Sequence, residues 1–170
     1  DRYQRLEGYI FPDTYDFYID ADANYFIRKF LSNFNDHWSA KYQKRADSLG
    51  YSMDEIIIIA SIIQKEAANS SQMKTVSSII HNRLKNSVKY PTLGCDSTSV
   101  YISNYVTKVV GGSMGNFYLN KYDTSANKGL PPGPICNPGV DAIEAALYPD
   151  DTNYYFFLHD NSGKIYLAKT

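Results

Sequence analysis

Residues 52–68, Ser-Met-Asp-Glu-Ile-Ile-Ile-Ile-Ala-Ser-Ile-Ile-Gln-Lys-Glu-Ala-Ala, constrain the fold more than any other stretch. Ser52 followed three residues on by Glu55 is a capping box, which starts a helix. The middle of the run is apolar nearly all round, so the helix belongs inside the molecule rather than on its surface. It is too short to span a bilayer. At about 100° per residue, Glu66 falls within about 60° of Ile59, Ile62 and Ile63, on an apolar face, while Gln64 and Lys65 point elsewhere. A carboxyl so placed is expensive to ionise, and its pKa is expected to rise. A raised carboxyl is what a general acid at neutral pH requires. The same position, close to a helix end, also fits a solvated terminal residue or half of an ion pair.

With 170 residues, of which 44% are hydrophobic, the chain is expected to form one domain with a core that needs no disulfide staples. A net charge of −1 and the lack of a basic patch argue against a nucleic-acid partner. The 16 tyrosines stand out. Tyrosine-rich clefts suit flat polar ligands such as sugars, because the ring supplies apolar area and the hydroxyl a hydrogen bond; compositional bias would give the same count. Cys95 and Cys136 have neither zinc nor redox spacing, and fit two free thiols or one disulfide. Asp1-Arg2-Tyr3 does not begin a signal peptide, and no transmembrane segment is read. The chain stops at Thr170 directly after an apparent strand, so the natural protein is expected to be longer.

Along the chain, residues 6–19 read as extended structure with a turn at Phe11-Pro12-Asp13-Thr14, because Pro12 breaks a helix. Asn24 is placed to cap a helix running to about Arg45, with Ile27, Phe30, Leu31, Phe34 and Trp38 at helical spacing. Asn69-Ser70-Ser71 ends the central helix and can cap the next, whose apolar face is Met73, Val76, Ile79, Ile80 and Leu84. His81 is assigned no role. Asp96-Ser97-Thr98-Ser99 can cap a short helix through Val100, Tyr101 and Tyr105. Residues 111–122, rich in Gly and Asn, read as irregular. Residues 127–139 form a stiff wall whose prolines fix φ, of the kind that lines ligand sites. A short helix over 140–147 and a hairpin, with strands near 154–160 and 164–169 around Asn161-Ser162-Gly163, complete the chain. The expected class is α+β: a helical core carrying the Glu66 helix, with extended aromatic segments and a C-terminal β-hairpin.

Glu7, Asp13, Asp96 and Asp123 are carboxylates in turn-rich positions, and a glycosidase of the usual kind needs two such groups. Asp13 after Pro12 and Asp96 before Ser97 are more often turn or cap residues. No nucleophile elbow, phosphate loop, zincin or dinucleotide motif occurs. No metal or other cofactor is expected, since His37, His81 and His159 lack ligand spacing.

Six blocks in order carry a specific resemblance. They are Leu6-Glu7-Gly8-Tyr9-Ile10-Phe11-Pro12-Asp13-Thr14-Tyr15, Ala60-Ser61-Ile62-Ile63-Gln64-Lys65-Glu66, Asn82-Arg83-Leu84, Asp96-Ser97-Thr98, Gly129-Leu130-Pro131-Pro132-Gly133-Pro134-Ile135 and Asn137-Pro138-Gly139. In order and spacing, over nearly the whole chain, they resemble the YceG-like family of endolytic peptidoglycan (murein) transglycosylases. The resemblance implies a bacterial enzyme on the extracytoplasmic face of the cell membrane. Such enzymes cut nascent glycan strands internally between N-acetylmuramic acid and N-acetylglucosamine, leaving 1,6-anhydro-muramyl ends. It implies peptidoglycan strands as substrate, and penicillin-binding protein synthases and the elongation machinery as partners. It further implies a full-length protein with one N-terminal membrane anchor and a LysM-like segment, both expected to lie outside residues 1–170, and a C-terminal segment beyond Thr170. Residues 1–170 would then be the single catalytic domain.

On the family's Ile-Glu-Lys-Glu pattern the catalytic glutamate is Glu66, with Gln64 in place of the first acid. The resemblance assigns substrate contacts to Glu7, Asp13, Tyr15, Asp96, Thr98, Tyr122, Asp123, Thr124, Pro132 and Asn137. It departs from the family at Asp123, where an Asn amide is usual, at Ser97, where Pro is common, and at Lys164, where His is common. Cys95 and Cys136 both fall in site-proximal blocks, which gives the hypothesis that they approach each other where oxidation is possible. Two other readings stand beside the transglycosylase: a glycan-binding scaffold that has lost catalysis, and a hydrolytic muramidase in which Asp96 or Asp123 activates water.

Overall fold

The central helix forms as the sequence dictates. The computed structural model describes residues 2–170; Asp1 lies outside them, so the reading of the N-terminal residues is followed only from Arg2. Helix α3 runs Met53–Glu66, and at its start the Ser52 hydroxyl accepts the Glu55 N–H while the Glu55 carboxylate accepts the Ser52 N–H. All eight residues from Ile56 to Ile63 are buried. Each isoleucine so buried stabilises by about 1.5–3 kcal/mol. The α3 isoleucines pack on Ala142, Ile143, Ala145, Ala146 and Leu147 of α8 (Val140–Leu147) and on Met73, Val76 and Ile80 of α4 (Met73–Lys85).

Two local expectations are corrected. The sequence suggests one helix over 24–45; the structure has α1 (Ala23–His37), capped by Asp22 rather than Asn24, and then α2 (Ala40–Leu49). The chain breaks because the Ser39 hydroxyl accepts the Tyr42 N–H and starts a new helix. Residues 112–122, read as irregular, form helix α7 (Gly112–Tyr122). Tertiary packing overrides the weak propensity there: Tyr122 is buried, Tyr118 and Leu119 lie on the core, and Gly115 lets α7 pass against Thr107. A Cβ at Gly115 would stand 2.5 Å from the Thr107 hydroxyl oxygen.

Between α3 and α4, Ser70–Gln72 is a single 3-10 turn, and Asn69 makes no side-chain cap. Helix α5 (Asp96–Tyr101) passes through a π turn, Ile102–Val106, into α6 (Thr107–Val110). Strands β1 (Phe156–His159) and β2 (Ile165–Ala168) pair antiparallel, with Phe157 opposite Leu167 and His159 opposite Ile165. The Asp160 carboxylate closes the hairpin by accepting the backbone N–H groups of Ser162 and Lys164. The expected α+β class, with a helical core and a C-terminal hairpin, is the observed one. His81, given no role, is a core residue of α4 whose Nε2–H donates to the Ala146 carbonyl at 2.9 Å. No helix among the described residues is long and apolar enough to cross a membrane.

Candidate active site

The last turn of α3 serves two structures at once. Gln64 faces the proline wall, and its amide oxygen accepts the Gly139 N–H at 3.1 Å. Ser61, one turn earlier, accepts the Ile135 N–H at 3.1 Å while its hydroxyl donates to the Ile58 carbonyl. The wall is thereby fixed to the buried helix. Glu66, two residues beyond Gln64, is half-buried and faces the other way, into a groove.

Three depressions make up that groove. One, of about 330 Å³, is lined by Glu66, Lys65, Asp96, Ser97, Val100, Tyr101, Asn104, Tyr105 and Ile135. A second, of about 290 Å³, lies between α4 and β1 and also contains Glu66 and Asp96. A third, of about 300 Å³, continues from the first past Lys65, Tyr101 and Tyr105 to Tyr3, Glu7 and Val109. Glu66 therefore stands at the junction of the first two, with room on both sides. Its Oε1 accepts the Ser97 N–H at 3.3 Å. The apolar surroundings expected for it cover one side only; the other is open to the groove. Lys65, expected to point elsewhere, lines the groove rim beside it.

The floor beneath Glu66 is held by buried hydroxyls. Thr124 accepts the Cys95 N–H at 3.0 Å and donates to the Cys95 carbonyl at 3.1 Å. The Thr98 hydroxyl donates to the same carbonyl at 2.9 Å and accepts the Thr124 N–H at 3.3 Å. This network positions Asp96 and Ser97 next to Glu66. Both cysteines are free thiols, which corrects the hypothesis of a pair. Cys95 is buried in the floor, and the Cys136 thiol donates to the Ser61 carbonyl at 3.4 Å.

Of the residues singled out from sequence, Glu66, Asp96 and Glu7 line the groove. Burial pushes the Glu7 carboxyl above the usual range, opposed by a 3.4 Å hydrogen bond from the Tyr101 hydroxyl and by Lys65. Thr98 and Thr124 lie in the floor. Tyr122 is buried, with its ring 5.8 Å from that of Tyr101. Asn137 straps the N-terminal segment to the wall, its side-chain oxygen accepting the N–H of Gly8 at 2.8 Å and of Ile10 at 3.1 Å. Pro132 is half-buried in the wall and lines none of the three depressions. Asp123 accepts the Ser125 N–H at 2.8 Å in a local turn and lines none of the three depressions. Asp13 and Tyr15 face a separate surface hollow, where both bind the Asn33 amide. The hydrogen bond from the Asn33 amide, followed by that from the Thr14 N–H, holds the Asp13 carboxyl below the usual range.

Sequence reasoning missed Ser97, Asn104, Tyr105 and the hairpin face that closes the second depression. Helical spacing was the available signal, since Ser97, Tyr101 and Tyr105 fall at intervals of four on one face. The hairpin face had none.

The chain is similar to known proteins in both sequence and fold. The sequence model of the YceG-like family matches residues 1–170. An endolytic murein transglycosylase of Bacillus subtilis (strain 168) is 32% identical over 97% of this chain and 45% of its own length. One of Streptococcus pneumoniae (strain D39) is 28% identical over 96% of this chain and 30% of its own length. The chain thus spans less than half of these curated relatives. A crystal structure of a yceG-like protein from Listeria monocytogenes superposes with a TM-score of 0.82 at 35% identity, covering 97% of this chain and 53% of that one. With its full length matched and its fold shared, this chain belongs to the YceG-like family.

Proposed function

We propose that residues 1–170 form a single catalytic domain that cuts murein glycan strands internally as a lytic transglycosylase. The observation that carries this reading is the place of Glu66 at the junction of two depressions. A groove with space on both sides of one acid accepts the middle of a polymer. Relatives described as endolytic murein transglycosylases support the substrate class. The tyrosines beside the acid suit sugar rings, Tyr105 with 62% of its surface exposed as a stacking platform.

In this mechanism one carboxyl suffices. Glu66 in its acid form gives its proton to the glycosidic oxygen, the bond from the muramyl C1 to that oxygen breaks, and an oxocarbenium-like state develops. The resulting Glu66 carboxylate takes the proton of the muramyl C6 hydroxyl. That oxygen bonds to C1 of the same sugar, which yields the 1,6-anhydro end and regenerates the acid without consuming water. Attack within one sugar benefits from proximity and needs no nucleophilic carboxylate. Val100, Ile135 and the tyrosine rings limit water at the reacting carbon. The reaction takes place on the extracytoplasmic face of the membrane, alongside the penicillin-binding synthases and elongation machinery that make the strands.

Asp96 favours a second reading. It lines both depressions with Glu66, as a base that activates water in a hydrolytic muramidase would. Mass spectrometry of digested strands separates the two. Anhydro ends support the transglycosylase, whereas reducing ends would overturn it in favour of hydrolysis.

A further inference from the structure

Arg83 is a charged group lining the groove that the proposed reaction does not use. It extends from α4 into the depression shared with Glu66, Leu93, Gly94, Cys95 and Phe156. One guanidinium nitrogen, Nη1, donates to the Leu93 carbonyl. The Nε donor is buried and meets no acceptor. The guanidinium carbon lies 4.9 Å from the Phe156 ring centroid and 5.8 Å from that of Tyr90. Among the described residues no carboxylate lies within 4 Å of it; the ion pair found there is Arg2–Asp54, at the start of α3.

A half-buried guanidinium stacked on aromatic rings is held rigidly and stripped of part of its water. Leaving such a cation without an anion costs free energy that a ligand carboxylate would recover. Arg83, Cys95 and Glu66 line the same depression. Burial pushes the Cys95 thiol up, Glu66 pushes it further, and Arg83 opposes them. The guanidinium is held over Phe156, so a carboxylate entering the depression meets the cation on that side.

We infer that the depression between α4 and β1 is a carboxylate-reading subsite. In it Arg83 takes a carboxylate carried by the glycan strand on the donors left over from Leu93. The inference rests on the glycan-strand reading above. On such a strand a carboxylate comes from an attached peptide stem or, where the stem is removed, from the muramyl lactyl group. The subsite would favour strands bearing that charge next to the bond being cut.

The test is binding of labelled strands by the Glu66→Gln chain, which leaves them intact. Three strand preparations are compared: with peptide stems, with stem carboxyls converted to methylamides, and with stems removed to free the lactyl carboxylate. At least one carboxylated preparation should bind about tenfold more tightly than the methylamide, the usual scale of a charge-assisted contact. The preparation that does so identifies the source. Adding Arg83→Gln should bring that ratio to about one. A ratio of one in the Glu66→Gln chain overturns the subsite, as does a ratio that survives Arg83→Gln. A residue that only holds Leu93 would lower the melting temperature and leave the ratio unchanged. If Arg83→Gln does not fold, Arg83→Lys carries the test. Lysine cannot present parallel N–H donors, so the ratio should fall severalfold, and an unchanged ratio overturns the proposal. Strands bound with charge discrimination but never cut by the unsubstituted chain would sink the proposed reaction and keep the subsite. Cutting to anhydro ends without charge discrimination would do the reverse.

Discussion

The Thr124 hydroxyl lies 3.2 Å from the Thr98 hydroxyl, and both bond to the Cys95 carbonyl from beneath Glu66. Each threonine is almost wholly buried. Thr124→Val keeps the shape but leaves the Cys95 N–H without its acceptor, which costs about 1–3 kcal/mol. Urea unfolding should report that loss. Activity should fall beyond it, because Asp96 and Ser97 leave their places beside the acid.

Glu66→Gln keeps the length and polarity of the side chain and removes the proton it transfers. Strand cleavage should drop by at least about 10²–10⁴-fold, the usual range for a general acid. Circular dichroism and the melting temperature should stay those of the unsubstituted chain. Anhydro ends produced at the original rate would end the assignment.

Gly8 carries the N-terminal strap across the proline wall at φ +93°. A Cβ there would stand 2.5 Å from Pro134 Cγ and 2.8 Å from Ile57 Cγ2. Gly8→Ala combines backbone strain with overpacking and should cost about 2–4 kcal/mol. Calorimetry checks it, with a shift of less than a degree as the contrary result.

Burial pushes the His81 imidazole below its ordinary value of 6.5; the Ala146 hydrogen bond opposes this, and Lys85 and Arg45 add to it. A base held neutral in the folded state is protonated more readily when unfolded. The unfolded chain therefore binds more protons between the depressed folded value and about 6.5. Stability from this source is intact above that window and falls as the pH drops through it. Denaturant midpoints measured from pH 8 to pH 5 should decline, and His81→Gln should flatten the decline.

Burial also pushes the Cys136 thiol up to about 11 and the Cys95 thiol further still. At pH 8 both should react slowly with iodoacetamide in the folded protein, Cys95 the more slowly. Unfolding without reductant should release two titratable thiols; one disulfide would contradict the structure.

Elements whose cause is local were legible in the sequence. The Ser52–Glu55 box set the start of α3, the isoleucine run its burial, and residues 161–163 the hairpin turn. Helix α7 was not legible, because its stability comes from Tyr118, Leu119 and Tyr122 packing on distant segments rather than from its own Gly- and Asn-rich composition. The break at Ser39 was hidden because the apolar spacing runs on through Trp38. At the groove, helical geometry separated Glu66 from Gln64, which bonds the wall, but not from Lys65, which lines the same depression. Asp13 and Asn137 show the limit of motif blocks: one binds Asn33 on another surface and the other fastens backbone. A motif residue that holds the chain in place cannot be told in sequence from one that touches a ligand.

Helix α3 is the most enclosed rod in the molecule, and Glu66 is its last residue. The surfaces facing that carboxyl are a two-stranded hairpin and a six-residue helix continued by a π turn, each shorter than α3. In amide exchange the isoleucine turns should be the last to yield deuterium, with the hairpin and α5 well ahead of them.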